Sequence, residues 1–161
     1  MSESDSFPVV LLISGSVHSA KSINRLLSEQ FRVVQVEDAA QGWDALQNDS
    51  TISAAICELD LCIDNNALLE RIRGAQNKSI ASLPVLILVG EKDSEDQRDR
   101  AFSVGASDFI NMPFSSTELK ARIRLHTRLF GLQNRDAGYE VPEQATSIDM
   151  LNTLMQEQYF E

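Results

Sequence analysis

The chain has 161 residues, 43% of them hydrophobic and 24% charged, and a formal net charge of −10. That length suits one domain plus an appendage and is enough to bury a real core. So large a negative charge argues against nucleic acid, whose binding needs Lys and Arg to neutralise phosphates, and against anionic membrane surfaces.

No apolar run approaches the roughly 20 residues needed to cross a bilayer. The opening MSESDSF is acidic and polar, lacks the pattern of a signal peptide, and reads as a flexible leader over 1–7; a cytoplasmic protein is expected. Pro8 to Ile13 (PVVLLI) is continuously apolar, as in a strand buried on both faces. Ser14-Gly15-Ser16 breaks it, and a helix comes next with Ala20, Ile23 and Leu27 on one face and Leu26 beside them. Phe31 to Val36 is a strand with a polar interruption, suited to an edge. Asp38 with Gln41 marks a helix start, and Trp43 and Leu46 supply that helix's apolar face.

The central stretch is AAICELDL, from Ala54 to Leu61. Its apolar part predicts a strand that runs out at Glu58. The loop LDLCIDNN then leads to a helix with Leu68, Leu69 and Ile72 at core spacing. Pro84 opens the apolar strand PVLILV. Ser94 with Gln97 is a capping-box signature for a charged helix closed by Gly105. Ser107 to Asn111 is the fifth strand, and Ser115 with Glu118 repeats the capping box before a long last helix. There Leu119, Ile123 and Phe130 form one apolar stripe, and Leu125, Leu129 and Leu132 a second, which fits either one wide buried face or a helix that also meets a partner. Lys120, Arg122, Arg124 and Arg128 lie on the same helix and read as a solvated face. Residues 132–145 are polar, with Gly138 and Pro142, and predict a linker. A short amphipathic helix over 146–161 carries Ile148, Leu151, Leu154 and Met155.

Five strands alternating with helices predict an α/β fold, a doubly wound five-stranded parallel sheet with helices on both faces. In such sheets chemistry collects at the carboxyl ends of the strands, where strand order reverses, so function turns on what surrounds Glu58. Cys57 and Cys62 match no metal or redox spacing and are expected to be reduced and structural. No metal or other cofactor is expected. His18 and His126 have no Ser, Cys or carboxylate partner at a recognisable spacing. The loop GSVHSAKS, Gly15 to Ser22, is one residue from a phosphate-binding GxxxxGK[ST] loop, with Ala20 replacing the second Gly; Lys21 would reach the phosphates.

GASDFINMPFSSTELKARI (Gly105 to Ile123) resembles the end of a two-component response-regulator receiver domain, where a fifth strand runs into a Lys-Pro pair and a last helix. LPVLILVGEKDSEDQRDRAFSVGA resembles that family's fourth strand and helix, and PVVLLISGS its first strand and acidic turn. The resemblance covers about residues 8–131 and implies a flavodoxin-like strand order 2-1-3-4-5. It also implies an aspartate that accepts a phosphoryl group, two acidic residues that hold Mg²⁺, and a Ser/Thr and a Lys that touch the phosphoryl oxygens. Carried over position by position, the acidic pair falls on Ser14 and Gly15, the acceptor on Glu58, the hydroxyl on Val89 and the Lys on Met112. Pro113 and the aromatic switch position, Phe109, fit.

These departures imply a degenerate pseudo-receiver: no enzyme, but an atypical, phosphorylation-independent module of two-component or phosphorelay signalling. Glu58 is then either a standing mimic of a phosphorylated aspartate or a polar remnant. Asp60 or Asp64 is the alternative acceptor, and a degenerate phosphate-loop nucleotide binder is a further alternative. The resemblance places the partner or dimer surface on the fourth helix, fifth strand and last helix, here Phe102, Phe109, Leu125 and Leu129. The partner is a protein, a second copy, or an effector domain of a longer parent protein.

Overall fold

Three apolar runs form the middle of the sheet because each can be covered on both faces. The computed structural model describes residues 7–63 and 67–133. β1 (Val9–Ile13) and β4 (Val85–Val89) are buried at all five positions, and β3 (Ile52–Glu58) from Ala54 to Cys57. β2 (Arg32–Val36) and β5 (Asp108–Asn111) lie at the two edges, where polar side chains can reach water. All four pairings are parallel and the order is β2-β1-β3-β4-β5, the doubly wound, flavodoxin-like arrangement.

Alternation along each strand sorts the core into two layers. On one face, Val10, Leu12, Ala54, Ile56, Leu86 and Leu88 meet α1 (Val17–Leu27) and α7 (Ser116–Gln133) through Ala20, Ile23, Leu27, Leu119 and Ile123. On the other, Leu11, Ile13, Ala55, Cys57, Ile87 and Val89 meet the remaining helices. These are α2 (Ala39–Asn48), α3 (Leu59–Ile63), α4 (Leu68–Arg73), α5 (Lys78–Ala81) and α6 (Glu95–Val104). Gly42 of α2 lies so close to β1 that a Cβ there would stand 3.1 Å from Ile13 Cδ1.

Two local expectations are corrected. The stretch after Glu58 is not a plain loop: Leu59, Cys62 and Ile63, at i, i+3 and i+4, are all buried, and that spacing winds α3 directly onto the end of β3. The capping box at Ser94 and Gln97 is complete, but at Ser115 only half forms. The Glu118 amide donates to Ser115 Oγ, while the Glu118 carboxylate is taken by Arg122 Nε at 3.0 Å. The leader through residue 6, Asp64, the rest of the linker from residue 134 and the helix expected at 146–161 lie outside the described residues, while α7 continues through Gln133, over the first two residues of the stretch expected as linker.

Arg73 staples one end of the molecule. Its Nε donates to the carbonyl of Gly105 at 2.9 Å, Nη1 to those of Ala81 and Leu83 at 3.0 and 2.7 Å, and Nη2 to Ser107 Oγ at 3.2 Å. Gly105 closes α6 at φ 120°, a conformation that favours glycine, and a Cβ there would meet Arg73 Nε at 2.9 Å. One guanidinium thus joins α4, the chain entering β4 and the turn into β5. Arg73→Met should lower the free energy of unfolding by about 2–4 kcal/mol, because several half-buried carbonyls lose a charged donor. Arg73→Lys should recover only part of it, since an ammonium cannot reproduce the fork. Urea denaturation of the two variants checks both statements.

Candidate functional site

At the carboxyl end of the sheet, β3, β4 and the chain leaving β5 border a cleft of about 600 Å³ lined by Glu58, Asp60, Leu88, Gly90, Glu91, Lys92, Asp93, Met112 and Pro113. Glu58 is the last residue of β3 and reaches across to the end of β1. Its Oε1 accepts hydrogen bonds from the Ser14 hydroxyl and, at 3.0 Å, from the Gly15 backbone N–H. Ser14 is buried, and its Oγ in turn accepts the Ser16 N–H at 3.3 Å. Three of the positions singled out from the sequence therefore form one contact, closed by hydrogen bonds within the protein.

The other two positions carry no polar side chain. Val89, at the end of β4, is buried in the core layer shared with α2 to α6. Met112 follows β5, is half-buried against the opposite layer, and donates its backbone N–H to the Val89 carbonyl at 2.8 Å. The side chains at these two positions are an isopropyl group and a thioether. Asp60 is exposed on the first turn of α3 and lines the same cleft. Among the described residues no group of three or more His, Cys, Asp or Glu is placed to hold a metal ion. Lys21 and His18 are exposed on α1.

A second polar assembly, not foreseen from the sequence, lies between β5 and α7. Both carboxylate oxygens of Asp108 accept from Arg122 Nη1, at 2.8 and 2.9 Å, and His126 Nε2 sits 3.2 Å from Oδ2. His126 therefore has a carboxylate partner after all, eighteen positions away, a separation that no local motif would reveal. Phe102 stands 71% exposed on α6, whereas Phe109 on β5 is half-buried under the Arg98 guanidinium, 5.6 Å from its ring centroid. Leu125, Leu129 and Leu132 are half-buried on α7. Of the basic residues on α7, Lys120 lies 3.9 Å from Glu29 and Arg124 hydrogen-bonds Gln30.

A five-stranded parallel sheet in this order, with polar groups gathered at the ends of β1 and β3 beside the cleft, is the architecture of a signalling receiver. The family model for the response regulator receiver domain matches residues 10–124, and the chain belongs to that family. It is 32% identical over 121 residues to the regulatory protein VirG of Rhizobium radiobacter, covering 74% of this chain and 43% of VirG. To the response regulator RppA of Synechocystis it is 31% identical over 153 residues, 91% of this chain and 60% of RppA. The chain thus spans about half the length of these relatives. Full-length FixJ from B. japonicum superposes with a TM-score of 0.66 at 28% identity, over 76% of this chain and 59% of FixJ. The receiver domain of the sensor histidine kinase PA1611 from Pseudomonas aeruginosa, whose structure has a magnesium ion in its active-site cleft, superposes at 0.66 with 19% identity, over 76% of this chain and 99% of that one. No helix among the described residues is long and apolar enough to cross a membrane.

Burial works to raise the Asp108 carboxyl, but the hydrogen bonds from His126 and Arg122, the Arg122 charge and the Phe109 N–H outweigh it and hold it below the usual range. A carboxyl depressed in the folded state stabilises fully above its unfolded value, about pH 4, and loses that contribution as pH falls through the lower folded value. Asp108→Asn should therefore flatten the loss of stability below about pH 4 while lowering stability near neutrality, as read by urea unfolding across that range.

Proposed function

We propose that this receiver domain is a protein-interaction module whose output does not depend on aspartyl phosphorylation. The observation that carries this reading is the closed contact of Glu58 with Ser14 and Gly15. In a phosphate-accepting cleft, carboxylates at the end of β1 hold a cation, and that cation with a Lys offsets the charge of the transferring group. Here the β1 end supplies a hydroxyl and an amide, both donors, and both are directed at Glu58. Mg²⁺ sites are usually anchored by one or two carboxylates, and here the end of β1 supplies none, while the Ser14 hydroxyl and Gly15 N–H both donate to Glu58. Val89 and Met112 offer neither the hydroxyl nor the cation that would grip phosphoryl oxygens.

The same contact favours Glu58 as a polar remnant over Glu58 as a mimic of a phosphorylated aspartate. Its charge is met by local hydrogen bonds, and the positions that would sense it, Val89 and Met112, have no donor side chain. Asp60 shares the cleft, and Val89 and Met112 supply it no donor side chain either.

Incubation with acetyl phosphate and Mg²⁺, read by intact mass, should give no adduct of one phosphoryl group. A stable adduct would overturn the reading, and peptide mapping would then decide between Asp60 and Asp64.

The output surface in this reading is the face of α6, β5 and α7, met by a protein partner or a second copy. Phe102 is its exposed apolar point, and Leu125 and Leu129 extend it along α7. Sedimentation equilibrium should detect self-association that Phe102→Glu weakens at least about tenfold, the loss expected of a central aromatic contact. A strict monomer at high concentration would remove the second copy as occupant.

A further inference from the structure

A second cleft, of about 530 Å³, lies between α2 and the turn from α4 into α5, lined by Trp43, Gln47, Arg71, Ala75, Gln76 and Asn77. It shares no residue with the cleft at Glu58. α4 runs back from the carboxyl end of the sheet, so its last turn stands where β4 begins. Arg73, in that turn, accordingly bonds the Leu83 carbonyl just ahead of the strand.

Three features give this cleft a chemistry. The first is a flat cation: the Arg71 guanidinium lies over the Trp43 ring, 4.6 Å from its centroid. That contact uses the charge, and the Arg71 side chain has no hydrogen bond or ion pair among the described residues. The second is sign. The chain carries 24 acidic residues, yet among the described residues no carboxylate lines this cleft, and Arg71 is the one charged group that does. The third is a set of carboxamides, Gln47, Gln76 and Asn77, a side-chain type that both donates and accepts. Asn77 Oδ1 already accepts the Ser79 and Ile80 N–H groups at 2.9 and 3.3 Å, which leaves its amide hydrogens to give.

We propose that this cleft binds a small aromatic anion of the mononucleotide class, its base stacked on the Trp43–Arg71 pair and its phosphate held by the Arg71 guanidinium. A guanidinium serves both ends at once, since its flat faces meet rings while its edges hold phosphate oxygens in pairs. The stack on Trp43 settles Arg71 before the ligand arrives, which lowers the ordering cost of binding. Trp43 and Ala75 are themselves anchored by packing against the core layer beneath α2 and α4. A base, unlike a plain phenyl ring, carries donors and acceptors on its edge, and the carboxamides match both. The volume lies in the range that holds one small ligand. A net charge of −10 weighs against a polyanion spread over the surface, and not against one phosphate at one guanidinium.

Arg71 is two residues from Arg73, whose guanidinium ties α4 to the chain entering β4 and β5. A ligand that engages Arg71 therefore acts on the helix that carries this staple. As the input to a receiver blind to phosphate, that consequence rests on the proposed function; the binding itself does not.

Trp43 is the single tryptophan of the chain and reports on the site directly. The test is titration of the whole chain, without Mg²⁺ or phosphodonor, with adenosine monophosphate, adenosine and ribose 5-phosphate, read by tryptophan fluorescence and amide NMR. Expected is a saturable change with adenosine monophosphate, with each of the two fragments binding at least about tenfold more weakly. The NMR shifts should centre on the Trp43 indole, Arg71, Gly74 and Asn77. Arg71→Gln, at an exposed position, should weaken the nucleotide at least about tenfold while the amide spectrum away from the cleft is unchanged. Arg71→Lys should recover only part of that loss, because an ammonium lacks the flat fork. No saturable change at millimolar nucleotide would overturn the proposal, as would equal binding by either fragment or by the Arg71→Gln variant. Shifts confined to the Glu58 cleft or to Gly15–Ser22 would overturn it too, by placing the ligand elsewhere. A phosphoryl adduct from acetyl phosphate together with this binding would remove the phosphate-blind reading and leave the second cleft standing.

Discussion

Burial of β1, β3 and β4 on both faces is the constraint on which the rest of the molecule depends. A strand enclosed on both sides can release polar side chains only where it ends, and a polar group left there without a partner costs of the order of 1–3 kcal/mol. Glu58 and Ser14 stand at two such ends, on adjacent strands in parallel register. With no carboxylate at the end of β1, the polar group of one strand end becomes the partner of the other. The contact is thus a consequence of the sheet as much as a property of the site.

The sheet was legible because its signals are local. PVVLLI, the apolar part of AAICELDL and PVLILV are continuous runs that only a doubly covered strand explains, and FRVVQV, with polar residues inside it, went to an edge. The helix cap at Ser94 was legible for the same reason, since its two partners are three residues apart. At Ser115 the same pattern misled, because Arg122, one turn further along α7, competes for the Glu118 carboxylate. α3 was missed because five residues are too few to show a period against an expected loop, although Leu59, Cys62 and Ile63 held the spacing.

The site was legible to a different degree. Alignment of motifs singled out Ser14, Gly15, Glu58, Val89 and Met112, but no spacing showed that the first three bond to one another. Asp108 with Arg122 and His126, and Arg73 with four partners on three segments, join residues far apart in sequence and different in element. No spacing encodes such contacts; the sheet order decides them. A single chain could announce a receiver, and nothing of the contacts that its sheet order creates.

Gly42 links the packing of the sheet to the polarity of the cleft. Its missing side chain lets α2 lie against Ile13, and Ile13 is the residue immediately before Ser14. An added methyl group would press on Ile13 from the helix side and require it to give by a few tenths of an ångström. The next residue along, Ser14, donates its hydroxyl to Glu58, and a hydrogen bond weakens as its distance and angle depart from the optimum. A glycine on a helix that forms none of the cleft's walls thus packs against the residue next to the Ser14–Glu58 contact. Sequence drift at a buried glycine could retune the receiver without touching any residue that a motif would flag.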